Sequence, residues 1–318
     1  MVSSVPALRI VYFGTPTFAI PPLEALLSSR HRVVAVVSQP DRPRGRGQQL
    51  RPTPTRELAE TRGVPVLQPP RIRDESFLRA IRDLAPDLGV VAAFGRILPD
   101  ELLTIPRLGM INVHASILPR YRGAAPIQRA VLAGDEETGV TIMRVVSELD
   151  AGPTFGIERV PIGPAATSGE VEALVARAGA PLLLRVVEDL AAGRAVETPQ
   201  DHQQATYAPK VTKAEGAINW SESAAAIHDK VRGLQPWPLA STHLEDERYV
   251  IRRSAIHSAR TTEPPGAVVE AHGDTLSVAC GDGSVLRILE IQPEGRRSMT
   301  AREFLAGRHL APGDRFDP

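Results

Sequence analysis

A single cysteine, Cys280, leaves this 318-residue chain without any internal disulfide, and a reducing cytoplasm is the expected setting. A net charge is missing too. The 37 basic residues are balanced by 37 acidic ones, so no global basic field advertises nucleic acid. Lysine is scarce: only Lys210, Lys213 and Lys230 occur, a bias that GC-rich coding explains as well as any function. No apolar run approaches the ~18 residues needed to cross a bilayer, and residues 1–7 lack the basic start and apolar core of a leader. The dinucleotide fingerprint is absent. Gly14-Thr15-Pro16-Thr17-Phe18-Ala19 lacks the second and third glycines, and Pro16 removes a backbone donor that a pyrophosphate would use. There is no P-loop, no H-x-x-x-H and no C-x-x-C, so neither NAD nor a metal is expected.

What is present begins with alternation. The length points to two domains. Apolar runs at 8–13, 33–37, 64–67, 88–92 and 108–113 alternate with helical segments at 21–29, 56–62 and 76–84. Continuous apolar strands separated by helices predict a mostly parallel α/β sheet covered on both faces. Residues 126–133 open another helix, and 140–146 with 154–161 read as a late antiparallel pair. Thr167-Ser168-Gly169-Glu170 is a capping box before a long helix ending near Gly193. Residues 194–207 are polar and aperiodic and read as a linker. Beyond them, short β-type runs at 249–251, 266–269, 276–279 and 285–291, punctuated by glycine turns, predict a small barrel. The expected domains are therefore 1–193, a linker 194–207, and 208–318.

The chemistry concentrates at 111–128. A strand ending Ile111-Asn112-Val113-His114 puts Asn112 and His114 on one face, because strand side chains alternate with period two. A rigid polar loop follows, at the strand's carboxyl end where open α/β sheets bind ligands. The knot Ser147-Glu148-Leu149-Asp150-Ala151-Gly152-Pro153 can bring Asp150 to the same edge. An amide, an imidazole and a carboxylate together suit acyl transfer. Singly, each has a structural alternative: Asn112 satisfying backbone groups, His114 packed in a core, Asp150 capping a turn.

Asn112-Val113-His114, Ser116-Ile117-Leu118-Pro119, Tyr121-Arg122-Gly123, Pro126-Ile127 and Leu149-Asp150-Ala151-Gly152 resemble the signature of the 10-formyltetrahydrofolate-dependent formyltransferases. Phe13-Gly14-Thr15-Pro16, the stretch from Gln39 to Gly47, and Gln235-Pro236-Trp237-Pro238 resemble the branch acting on methionyl-tRNA. Ala115 and Ile117 depart from the usual Gly and Leu, and Gln48-Gln49 from the usual lysines. The resemblance implies a Rossmann-like catalytic domain with an OB-like C-terminal β-barrel. It also implies formyl transfer from 10-formyltetrahydrofolate to methionyl initiator tRNA for translation initiation, by a monomer that needs no metal, NAD or membrane.

By the same resemblance, Asn112, His114 and Asp150 are the catalytic residues. Phe94, Gly95, Arg96, Ile97, Leu98, Ser116, Leu118, Pro119, Ser147, Glu148 and Leu149 would surround the folate. Arg42, Arg44, Arg46 and Arg51, clustered in a Pro/Gly-rich loop, would hold tRNA. Lys210, Lys213, Arg232, Arg252, Arg253, Arg296 and Arg297 would cup the acceptor arm, although nearby acids nearly balance them. Trp220 and Trp237 are expected as packing anchors. Two other functions remain open at this point: formylation of a nucleotide-sugar or other small amine, and RNA binding without catalysis.

Overall fold

A computed structural model of the chain describes residues 5–44 and 49–317. Contacts divide it into two compact units. The first holds Met1–Pro126, Thr138–Pro161 and Glu172–Ala208; the second holds Ile127–Glu137, Ile162–Val171 and Pro209–Pro318.

The strands of the first unit are β1 (Arg9–Gly14), β2 (Arg32–Val37), β3 (Arg42–Arg44), β4 (Gln49–Arg51), β5 (Val66–Leu67), β6 (Leu88–Ala92), β7 (Met110–His114), β8 (Arg122–Gly123), β9 (Glu137–Arg144), β10 (Thr154–Pro161) and β11 (Tyr207–Ala208). The helices between them in the chain are α1 (Ile20–Leu27), α2 (Pro54–Thr61), α3 (Glu75–Asp83), α4 (Asp100–Leu103), α5 (Pro126–Leu132), nearly all of which belongs to the second unit, and α6 (Ser168–Ala191), whose first turn does too.

The main sheet runs β10-β9-β7-β6-β1-β2-β5. β1 is parallel to β2 and β6, β6 to β7, and β2 to β5, while β9 is antiparallel to β7. The expected mostly parallel sheet is present, and its inner strands are buried along nearly their whole length. The reason is visible in α3, where Phe77, Leu78 and Ile81 share one face and bury against the core of β1, β2 and β6 residues. The chain lays β2 and β5 on one side of β1, then returns to lay β6 and β7 on the other. The order therefore reverses between β1 and β6, and loops after these strands open a crevice at their carboxyl ends.

The stretch expected as a linker is ordered. Thr198 bridges Thr154, Gln200 is buried, and β11 pairs in parallel with β8 inside the signature loop. Its anchors are backbone groups and polar side chains, so it carries no apolar period.

In the second unit, α7 (Ala224–Gly233) and α8 (Ala301–Gly307) accompany β12 (Ala240–Leu244), β13 (Glu247–Arg260), β14 (Val268–His272), β15 (Thr275–Ala279), β16 (Ser284–Pro293), β17 (Met299–Thr300) and β18 (Phe316–Asp317). The antiparallel sheet runs β14-β15-β16-β13-β12-β18, with β17 on β16. The bridge Ala267–Arg315 joins its two edges and bends it into the expected barrel. Only three residues of the 14-residue β13 read as strand in the sequence, because its second half is polar and largely exposed. Trp220 is a packing anchor: its indole donates to Thr242 Oγ1 at 2.9 Å and its ring lies 5.9 Å from Phe316. Trp237 is not. It is 54% exposed, so more than half of its surface meets solvent. Burial pushes the Cys280 thiol up to about 12, which leaves it an inert core residue rather than a nucleophile.

Candidate active site

β7 delivers Asn112 and His114 to the crevice edge as its alternation dictates. Asn112 stands in register with Val91 of β6, and His114 with Thr141 of β9. The imidazole is buried, and its Nε2 lies 3.0 Å from the Tyr121 carbonyl oxygen. A carbonyl only accepts, so Nε2 carries the proton and donates, leaving Nδ1 as the neutral ring's acceptor. Asp150 Oδ2 faces Nδ1 at 3.7 Å, too far for a direct hydrogen bond. A proton arriving between the two would find an acceptor on either side. The Asn112 amide is half-buried and makes no side-chain hydrogen bond among the described residues, so its N–H remains available to a ligand.

Asp150 owes its place to backbone geometry that few residues tolerate. It has φ +49°, in the left-handed region that aspartate enters more readily than most side chains. Its carboxylate accepts the Gly123 N–H at 2.9 Å. Gly123 itself has φ +117°, and a Cβ there would stand 2.9 Å from the Ala208 carbonyl oxygen. Tyr121 (φ +60°) and Ala93 (φ +47°) are strained at the same sheet edge. Such clustering marks segments shaped for something other than stability.

The loop after β7 is built from inside. The Ser116 hydroxyl donates to the Arg120 carbonyl at 2.7 Å, and its own carbonyl accepts from Thr141 Oγ1 at 2.7 Å. Thr141 Oγ1 in turn accepts the Leu118 N–H at 3.2 Å. Ser116 and Leu118 are buried and Pro119 half-buried, so these expected folate-site residues shape the loop.

The other expected folate residues divide by exposure. Phe94 packs edge-to-face on Phe13 at 5.5 Å, and Leu98 is buried in the same core. The Phe94 carbonyl accepts from Gln39 Nε2 at 2.8 Å. Arg96 donates to the carbonyl oxygens of Pro69 and Pro70, tying down a neighbouring turn. Gly95, at φ +76°, and Ile97, 77% exposed, are open at the surface. So are Ser147, Glu148 and Leu149, the last of them 53% exposed. Two exposed apolar side chains, Ile97 and Leu149, thus lie in the loops that follow β6 and β9, the strands on either side of β7. A cleft of about 210 Å³ lies at the switch point, lined by Thr15, Gln39, Arg42, Thr53, Phe94 and Gly95 among others.

Of the arginine cluster, Arg42 and Arg51 stand directly opposite each other in the β3–β4 hairpin, both exposed. Like charges in that arrangement destabilise a hairpin unless an anion lies between or beside them. Arg46 lies outside the described residues, and of Arg44 only the backbone is described. In the second unit Arg232 is buried against Asp229, Arg253 lies near Glu290 and Arg297 contacts Glu303, so three of the expected basic residues are paired.

Two residues with no role expected from the sequence lie beside the Asp150 turn: Gln200 donates to the Asp150 and Gly152 carbonyls, and Arg122 donates to Gln200. Arg122 is the largest fully buried side chain among those described, and Gln200 is buried beside it. Arg122 lies in the signature itself; nothing in the polar stretch around Gln200 marks that residue.

Comparison with known proteins places these features in a family. The family described as formyl transferase matches residues 8–187, and its C-terminal domain matches residues 210–309. The fold is shared with an N-formyltransferase from Helicobacter canadensis solved with folinic acid and dTDP-3-aminofucose. That match has a TM-score of 0.69 at 17% identity, covering 90% of this chain and 99% of that one. The methionyl-tRNA formyltransferase of Methylococcus capsulatus is 46% identical over 304 residues, spanning 96% of this chain and 98% of its own. That of Moorella thermoacetica is 46% identical over 312 residues, with the same two coverages. With identity sustained at that level across both chains, this chain belongs to the methionyl-tRNA formyltransferase family.

Proposed function

We propose that the chain transfers the formyl group of 10-formyltetrahydrofolate to the α-amine of methionyl initiator tRNA, giving N-formylmethionyl-tRNA for translation initiation. Beside family membership, the observation that carries this reading is the meeting of Asn112, His114 and Asp150 at the carboxyl end of β7. The amine nitrogen bonds to the formyl carbon, and the carbonyl oxygen becomes an oxyanion. Asn112 donates its free amide N–H to that oxygen, a contact typically worth ~3–4 kcal/mol of barrier. His114, through Nδ1, takes the proton the amine must lose, and Asp150 stabilises the imidazolium that results. The bond from the formyl carbon to the folate nitrogen then breaks, with the proton passed to that nitrogen. No covalent enzyme intermediate is needed.

The residues present fit a pterin. Ile97 and Leu149 are apolar and exposed, and Gly95, beside the buried Phe94, leaves open backbone. Glu148 and Ser147 offer exposed polar groups on the loop after β9. The exposed Arg42–Arg51 pair suits phosphate. Arg44 and Arg46 belong to the same proposed tRNA contact. On this reading residues 1–193 form the catalytic domain and 208–318 a tRNA-binding domain, and the protein works as a cytoplasmic monomer. No helix among the described residues is long and apolar enough to cross a membrane. Assaying methionyl initiator tRNA against a nucleotide-sugar amine as formyl acceptors tests the proposal.

A further inference from the structure

Arg122 is a buried cation without a close carboxylate partner. It is 1% exposed, and the carboxylate oxygen facing it, Glu148 Oε1, is 3.6 Å away on an exposed side chain. Burying an arginine in this way is costly, so something must offset the arrangement. Its Nε and Nη2 both donate to Gln200 Oε1, at 3.2 and 2.8 Å. Arginine can only donate, so these two bonds fix which end of the Gln200 amide faces it. The Nε2 end then donates to two carbonyl oxygens, that of Asp150 at 2.9 Å and that of Gly152 at 2.7 Å.

Every bond in this chain bears on one turn. Gln200 holds the backbone of Asp150 from behind, while the Gly123 N–H, one residue beyond Arg122, holds its carboxylate from the front. Between them they over-determine a residue whose φ of +49° would otherwise relax. Arg122 also faces Glu148, in the loop that carries Leu149. The link from the buried cation to the Asp150 turn therefore runs through Gln200.

We infer that Arg122 and Gln200 are positioning residues that hold Asp150 at its distance from His114. They act through the Asp150 turn and do not touch the reacting atoms. This rests on the proposed role of Asp150, and the test separates the two. Gln200→Leu keeps volume and removes all four hydrogen bonds of the amide. Gln200→Glu keeps the acceptor for Arg122 but sets an oxygen against the two carbonyls of the turn, so Tm of both variants is measured beside kcat to separate loss of fold from loss of positioning.

Both variants should lower kcat by at least ~10-fold while KM for methionyl initiator tRNA stays within ~2-fold. In an Asp150→Asn background, already impaired, either change should cost less than ~2-fold more, because residues acting through one group are not additive. Equal losses in both backgrounds, or a Gln200→Glu enzyme with native kcat, would overturn the inference while leaving Asp150 in its role. An Asp150→Asn enzyme with native turnover would overturn that role and the inference with it.

Discussion

Asp150→Asn is the substitution whose effect the geometry bounds most closely. Asparagine keeps an oxygen to accept the Gly123 N–H, now made at 2.9 Å, and tolerates the positive φ, so the turn should persist. What disappears is a negative charge 3.7 Å from His114 Nδ1. His114 is 5% and Asp150 14% exposed, so the pair sits at the margin of solvent rather than deep in the core. At an effective dielectric of about 20, opposite charges at such a distance attract by about 4 kcal/mol. That attraction exists only while the imidazole carries the amine's proton, so it lowers the barrier and leaves ground-state binding alone. Losing it should reduce kcat by ~10²–10³-fold, at about 1.4 kcal/mol per factor of ten. Single-turnover formyl transfer to methionyl initiator tRNA, with tRNA binding measured separately, reads this directly. A variant within ~3-fold of native turnover would mean that Asp150 does not stabilise charge on His114.

Three other outcomes follow from the same geometry. Gly95→Val places a branched side chain at φ +76°, with Cβ 2.8 Å from Gln39 Nε2, so calorimetry should show weaker folate binding with tRNA affinity little changed. Changing Arg42 and Arg51 to Ala should lower tRNA affinity and reduce the log–log salt slope by about 0.9 for each duplex phosphate left without its cation. The Arg129 hydrogen bond holds the Glu215 carboxyl at about 2, below its ordinary 4.5. A depressed carboxylate stabilises the fold above its unfolded value and loses that contribution as pH falls through the folded one. Glu215→Gln should therefore lower Tm at neutral pH and flatten its fall between about pH 4.5 and 2.

The parallel sheet was legible because a strand buried on both faces must be apolar throughout, as 33–37 and 88–92 are. Asn112 and His114 were legible because alternation alone puts them on one face. The residues that hold Asp150 were not. Gln200 sits in a polar stretch whose structure comes from hydrogen bonds to distant carbonyls, and such bonds leave no period in the chain. The β3–β4 pair hid because its three-residue strands, Arg-Pro-Arg and Gln-Leu-Arg, carry a proline and no apolar alternation. Helix α7 could have been found: Ser223 caps it by accepting the Ala226 N–H, and Ala224, Ile227 and Val231 fall on one helical face. Trp237 misled because a large aromatic is usually buried, and only tertiary context decides which one is not.

The central claim is a choice of amine, and the ratio of kcat/KM for methionyl initiator tRNA to that for a nucleotide-sugar amine measures it, with 10-formyltetrahydrofolate as donor in both arms. The Arg42–Arg51 pair has no evident use for a small acceptor. The ratio should exceed ~10³, and the Arg42→Ala, Arg51→Ala double variant should lower it mainly through the tRNA arm. A ratio near one, or a preference for the sugar, would contradict the assignment.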